Sequence, residues 1–331
     1  MIEFGPLDAL SRDPTVTDVA ITCEGRVWAD RGDGMEEHHL ATPLRTPQIV
    51  REYAVQLCAQ LGRRLDDACP IADASSGDGV RVHAVVAPLV PQGAAVTIRF
   101  PDRRRTGLQD LCDRGLFPRS WLPLLDSLVV RRARILISGG TGTGKTTLLK
   151  ALLSRCDPRD RIVTVEEVRE LGGLAHGNHV SLVSREANVE GAGAIGLPDL
   201  VKATLRMRPD RVVLGECRGE EIADLLRAFN SGHQGGMVTL HADGVRRVPA
   251  RLAALGMLAG LDARALAVLA EGAFDVVLHL DRVDGRRRIA QIGRLLVHGD
   301  ELVGEAVAVW DGAGAAMPGP AWERFAGRWS A

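Results

Sequence analysis

Lysine is almost missing from this chain. Of 331 residues only Lys145, Lys150 and Lys202 carry an ammonium group, and arginine supplies the rest of the basic charge. Alongside abundant alanine and glycine, this bias reads as the codon preference of a GC-rich genome and not as a binding signature. Aromatic residues make up 4% of the sequence, which gives no sign of a stacking groove for single-stranded nucleic acid. The formal net charge is −1, so no overall field draws the chain to nucleic acid or anionic lipid. No apolar run approaches the roughly 20 residues that span a bilayer. The N-terminus, Met1-Ile2-Glu3-Phe4-Gly5-Pro6, has neither a basic n-region nor an apolar h-region, so no signal peptide is expected. The six cysteines form no C-x-x-C pair and no zinc spacing with histidine. Several fall in apolar runs and are expected to be small buried hydrophobes, and the cytosol is the expected compartment. What remains, 46% hydrophobic and 25% charged, is a globular composition long enough for two domains.

Nine consecutive residues carry the first chemistry: Gly139, Gly140, Thr141, Gly142, Thr143, Gly144, Lys145, Thr146 and Thr147. They match G-x-x-x-x-G-K-[ST], the phosphate-binding P-loop. A short apolar run, Arg134 to Ser138, precedes them as a buried parallel strand should, and the helix-forming run Leu148 to Leu153 follows. Glycines let consecutive backbone N–H groups turn toward one anion, and the helix start adds partial positive charge. Lys145 is positioned to reach the outer phosphates of ATP, and the Thr146 hydroxyl to hold Mg2+.

Residues 1–105 read as a small α+β domain. Strands are expected at 16–21, 26–29, 80–86 and 94–100. A helix with Thr46 as N-cap, Pro47 in its first turn and Gly62 at its end lies between them. The segment from Pro101 to Gly107 is charged and opens on proline, so the linker is placed there. From 106 to 300 strands and helices alternate, as in a parallel sheet covered by helices. Asp284-Gly285 between two apolar runs signals a hairpin. Residues 301–331, rich in glycine, alanine and proline, are expected to be loosely held.

Three segments after the P-loop carry further candidates. The strand Arg161 to Val165 ends in Glu166 and Glu167, with Glu170 beyond. Carboxylates at the C-terminal tips of parallel strands line the ligand crevice, where they can orient water or bind magnesium waters. Pro209 to Gly219 occupies the position of a Walker B strand, but Gly215 and a single acid, Glu216, replace the usual aspartate. The glycine leaves room and the glutamate adds reach toward the metal. The third segment, Asn230 to Ala242, sets His233 and His241 on either side of a short strand with a glycine-rich turn. Hydrogen bonds from these two imidazoles could report the phosphate state of a nucleotide.

Taken together, these segments resemble the secretion ATPase superfamily of type II and type IV secretion, pilus assembly and DNA uptake. Its members carry a Walker A, an acidic box, a G-E Walker B and a His box in this order. Here these are Gly139–Thr147, Thr164–Leu171, Leu214–Glu216 and Gly232–His241. The wording is most similar to the tight-adherence (Tad/CpaF-like) pilus and conjugal-transfer-associated branch, through Arg206 to Arg211, Gly62 to Asp67 and Val82 to Val85. Three departures stand out. Glu167 replaces an aspartate in the acidic box, Ser-Gly-His replaces Thr-Gly-His, and the tetracysteine zinc insert is absent. The chain is also short before its first strand, where some members carry docking domains.

The resemblance implies an α/β fold: a RecA-like P-loop NTPase domain with a smaller N-terminal α+β domain. It implies an ATP-hydrolysing hexamer that takes up Mg2+ and acts on a polytopic inner-membrane platform protein. The place of action is the cytoplasmic face of the membrane, with no direct nucleic-acid contact. Glu166, Glu167 or Glu170 orients water, Thr146 and Glu216 serve the metal, and Arg218 joins the nucleotide contacts. Arg64, Arg81 and Arg99 of the N-terminal domain match family arginines that reach nucleotide. Two other readings stay open on the residues alone, a RecA-type nucleic-acid translocase or helicase and a nucleotide-gated scaffold that does not hydrolyse.

Overall fold

The structure is a computed structural model that describes residues 2–32, 34–101, 106–172, 174–185 and 193–329. Most of the expected linker, 102–105, lies outside these residues. The chain divides into two compact units, one comprising Met1–Arg104 with Val168–Gly173, the other Arg105–Glu167 with Leu174–Ala331.

The first unit is built on alternation. Its strands β1 (Asp18–Ile21), β2 (Val27–Asp30), β3 (Met35–His38), β4 (Ile71–Ser75), β5 (Arg81–Val86) and β6 (Ala94–Arg99) form an antiparallel sheet in the order β3-β2-β1-β6-β5-β4. Every second residue of β5 and β6 points into the core, with Val82, Ala84 and Val86 facing it beside Ala94, Val96 and Ile98. A five-residue helix α1 (Asp8–Arg12) precedes the sheet, and α2 (Pro47–Gln60) covers one face with Val50, Ala54, Leu57 and Cys58. As the sequence leads one to expect, Thr46 caps α2, its hydroxyl accepting from the Ile49 N–H at 3.3 Å. Strands β3 and β4 escape the sequence reading because they lack an apolar run. All of β3 is exposed or half-buried, and β4 buries only Ala72 and Ala74.

The second unit holds a nine-stranded sheet. Two helices, α3 (Leu108–Asp113) and α4 (Leu122–Val130), lead into β7 (Ile135–Gly139), α5 (Lys145–Leu153), β8 (Ile162–Glu166) and β9 (His179–Val183). Then come α6 (Leu197–Thr204), β10 (Arg211–Cys217), α7 (Glu221–Asn230), β11 (Met237–Leu240), α8 (Val248–Leu258) and α9 (Ala263–Ala270). The chain ends with β12 (Val276–Val283), β13 (Arg286–His298), β14 (Glu301–Val309), β15 (Met317–Pro318) and α10 (Trp322–Trp329). The order is β15-β14-β13-β12-β7-β11-β10-β8-β9, parallel from β12 through β9 and antiparallel on the other side. Strands β7, β8 and β11 are buried along their whole length, which is why they read as continuous apolar runs. The expected hairpin turns at Asp284 and Gly285, both with positive φ.

The C-terminal segment differs from its expected looseness. Residues 301–309 form β14 in the sheet, and α10 closes the unit. Four aromatics explain it. Trp310, Phe325 and Trp329 are buried, and Trp310 and Trp322 each lie 6.5 Å from the buried Trp121 ring. Their area outweighs the local glycine and proline content.

At the N-terminal edge of the parallel strands, Asp160 accepts from Arg211 Nε at 2.6 Å, and both side chains are 2% exposed or less. Arg211 also donates to the Val129 carbonyl, and Arg132 binds the second Asp160 oxygen. Removing one partner would strand a buried charge. Asp160→Ala is therefore expected to destabilise the protein by about 3–5 kcal/mol in urea unfolding. A loss below about 1 kcal/mol would show that the pair is not holding this edge.

Candidate nucleotide site

The loop after β7 is shaped by what surrounds it. A Cβ on Gly139 would lie 2.4 Å from the Leu280 carbonyl oxygen of β12, and Gly139 has a φ of +152°. Only glycine lets the chain turn this close to its neighbour. Lys145, 8% exposed, donates from Nζ to the carbonyls of Gly139 (3.0 Å) and Gly140 (2.8 Å), and Thr143 Oγ1 donates to Gly140 at 2.9 Å. The ammonium thus sits inside the loop at the N-terminus of α5, where an anion would compete with two carbonyls for it. Thr146 and Thr147 follow in the first turn of α5, half-buried, and Thr141 and Gly142 are exposed.

Strand order sets the carboxylates. Strand β11 lies between β7 and β10, and β8 lies beyond β10. Glu166 ends β8 and is buried, while Glu216 sits at a register break near the end of β10. A Cβ on Gly215 would come within 2.8 Å of Glu166 Cγ. The glycine of the G-E pair therefore makes room for the neighbouring strand's carboxylate rather than serving the metal itself.

Around Glu216 the charges interlock. Its Oε2 accepts from Arg218 at 2.8 Å, and Arg218 also donates to Glu167 at 3.1 Å. Its Oε1 is 2.8 Å from His241 Nε2. Burial pushes the Glu216 carboxyl up, but the Arg218 hydrogen bond and charge, with His241 and Lys145, hold it below its ordinary range. The His241 imidazole is pushed below its ordinary value by burial and by Lys145, against the opposing pull of Glu216. At neutral pH it is a neutral imidazole. Lys145, Glu216, His241 and Arg218 thus share one electrostatic site.

Within the second unit, His233 falls elsewhere. His233 precedes β11 and lies at the start of the parallel strands, where Gly236 accepts from the Ile135 N–H. The P-loop is at their other end, so within this chain His233 and His241 do not form one cluster. The reason is polarity: a strand of four residues is about 13 Å long and carries its flanking residues to opposite edges. Glu170 belongs to the first unit with Val168–Gly173, whereas Glu166 and Glu167 belong to the second. In the first unit Glu170 pairs with Arg81, and Arg169 donates to the Gly77 carbonyl at 2.7 Å. Arg81 stands directly opposite Arg99 across β5 and β6, and Arg99 binds Asp18 at 2.8 Å. Arg64 pairs with Asp66 in the same unit.

The sequence reading overlooks two supporting residues. Glu221, buried at the start of α7, accepts from the N–H groups of Arg218 (2.6 Å) and Gly219 (2.8 Å) and so fixes the turn that aims Arg218. An acid just after Arg-Gly at a helix start was the available signal. His279 of β12 is buried with Nδ1 3.1 Å from Ser138 Oγ, just before the P-loop. Nothing local in the sequence pairs them.

The sequence model of type II/IV secretion system proteins matches residues 3–299. A Mycobacterium tuberculosis protein carrying a conjugal-transfer name is 43% identical over 309 residues, covering 91% of this chain and 86% of that protein. The type IV secretion system protein PtlH of Bordetella pertussis is 32% identical, covering 84% of this chain and 89% of that one. Among solved structures, the Legionella pneumophila ATPase DotB shares the fold at a TM-score of 0.60 and 18% identity, over 88% of this chain and 80% of the other.

Two measurements check this geometry. Gly215→Ala is expected to cost about 1–3 kcal/mol in denaturant unfolding, because its methyl overlaps the Glu166 side chain. An unchanged stability with Glu166 in place would contradict that packing. In NMR titrations the His241 pKa is expected to lie below 6.5, to rise in Lys145→Ala and to fall further in Glu216→Gln. Opposite movements would break up the proposed cluster. Because the folded pKa is depressed, His241's contribution to stability is present above pH 6.5 and is lost as the pH falls through the lowered value.

Proposed function

We propose that this chain, which belongs to the type II/IV secretion system protein family, is an ATP-hydrolysing motor whose domain movements drive a membrane partner. The observation that carries the reading is the convergence of Lys145, Glu216, Arg218 and His241 on one phosphate-binding loop.

The residues fit a magnesium nucleotide. Magnesium takes oxygen ligands, usually one or two from protein with the rest from phosphate and water. The Thr146 hydroxyl and an ionised Glu216 supply that set. When bound, the ion neutralises charge on the phosphate oxygens. The amides of Gly140 to Thr147 and the Lys145 ammonium bind and position the phosphates. Glu166, held in the space left by Gly215, orients the attacking water, with Glu167 kept beside it by Arg218. His241, with Nε2 2.8 Å from Glu216 Oε1, is the candidate relay of phosphate state. Arg81, Arg99 and Arg64 of the first unit are the candidates for the remaining positive charge; Arg81 pairs there with Glu170, Arg99 with Asp18 and Arg64 with Asp66. An arginine brought in this way contributes roughly 10³–10⁵ in rate and makes hydrolysis depend on domain movement.

Several finer points extend the reading. The family resemblance supports a homohexamer working against a polytopic platform protein at the cytoplasmic face of the membrane. No single helix among the described residues is long and apolar enough to cross a bilayer. The segments Arg206–Arg211, Gly62–Asp67 and Val82–Val85 support the Tad-like and conjugal-transfer-associated branch.

Lys145→Ala is expected to lower ATP turnover by about 10²–10³-fold or more while the protein stays folded. Glu216→Gln is expected to keep ATP bound while turnover falls by a similar factor. Turnover at the wild-type rate in the purified Lys145→Ala protein would overturn the site assignment. Stimulation of the wild type by DNA would instead favour a nucleic-acid translocase.

A further inference from the structure

The second unit carries an arginine of its own beside the P-loop. Strand β12 is paired to β7 as far as Gly139, opposite Leu280, and continues into the hairpin with β13. The hairpin bears Arg282, Arg286, Arg287 and Arg288. Arg288 is committed to Asp281 at 2.8 Å, and Arg282 Nε donates to the Gly285 carbonyl at 3.2 Å. Arg287 is different. A Cβ on Gly144, the residue before Lys145, would lie 3.5 Å from Arg287 Cδ. The arginine stem therefore passes over the P-loop where α5 begins, with Leu280 beside it. Arg287 is exposed and stands directly opposite Arg282. Like charges facing each other across two strands are unfavourable, and an anion at this face would relieve them.

Position along the sheet says which part of a nucleotide this anion is. Strand β12 flanks β7 on the side away from β11, β10 and β8. Glu166 and Glu216, at the tips of β8 and β10, mark the γ-phosphate end in the reading above, on which this inference rests. Arg287 lies on the other side. We infer that Arg287 is a nucleotide-binding residue of this site, holding the α-phosphate and nucleoside end of a purine nucleoside di- or triphosphate. A guanidinium suits the task because it carries fixed charge, presents several donors and can lie flat against a base. Its contact is made with ATP and ADP alike, so it sets affinity and not the chemical step.

The test is equilibrium binding of a fluorescent ADP and a fluorescent non-hydrolysable ATP analogue, with steady-state kinetics. Arg287→Ala should raise both dissociation constants by about tenfold or more and raise KM while kcat stays near wild type. Arg287→Lys should recover part of the loss, and Arg286→Ala, on the opposite face of β13, should bind like wild type. If wild type binds nucleotide and Arg287→Ala binds both ligands equally well, the inference is wrong and the proposed function stands. A loss for ATP alone, or a fall in kcat at unchanged KM, also overturns it, because Arg287 would then act at the γ-phosphate. If wild type binds neither ligand, the functional reading fails and takes this inference with it.

Discussion

The spacing imposed by β11 is the constraint on which the site depends. Hydrogen-bonded strands lie about 4.8 Å apart, so one intervening strand separates the end of β7 from the end of β10 by about 10 Å. That gap is too wide for a direct bond from the P-loop backbone to the Glu216 carboxyl group. It is bridged by side chains, with Lys145 from one side, Glu216 from the other and His241 from the end of β11 between them. The same gap suits a triphosphate's outer end with its counter-ion. A reversed order, with β10 beside β7, would bring the acid against the loop and leave no such space.

Everything that holds this spacing lies away from the chemistry. Asp160, Arg211 and Arg132 tie the opposite edge of the parallel strands together. The buried pairing of β12 with β7 fixes the other flank and forces glycine at position 139. The antiparallel extension through β13 and β14, sealed by the aromatic group around Trp121, stiffens the hairpin that passes over the P-loop. Glu166 and Glu216 are thus carried near strand ends, and Arg218 sits just after β10 in a turn that Glu221 pins from within.

The P-loop, both G-E residues and the hairpin turn were legible because each is decided by a few neighbouring residues. The two histidines show the limit. They have the same residue type and flank the same short strand, yet strand polarity sends one to the P-loop edge and the other away. Glu170 shows another, since three acids close in sequence divide between two units at Val168. Arg287 was hidden for a third reason. In a chain where arginine is nearly the only base, no arginine stands out, and only the pairing of β12 with β7 brings this one to Gly144. The C-terminal segment was misjudged by averaging its composition, when four aromatic side chains outweigh its glycines and prolines.

The central claim is that this spacing receives a magnesium nucleotide. A crystal structure of the protein grown with a non-hydrolysable ATP analogue and Mg2+ tests it most directly. The account predicts the Lys145 ammonium moved from the Gly139 and Gly140 carbonyls to phosphate oxygens, with the ion between Thr146 and Glu216. Lys145 still bound to those carbonyls beside an analogue located elsewhere would contradict it.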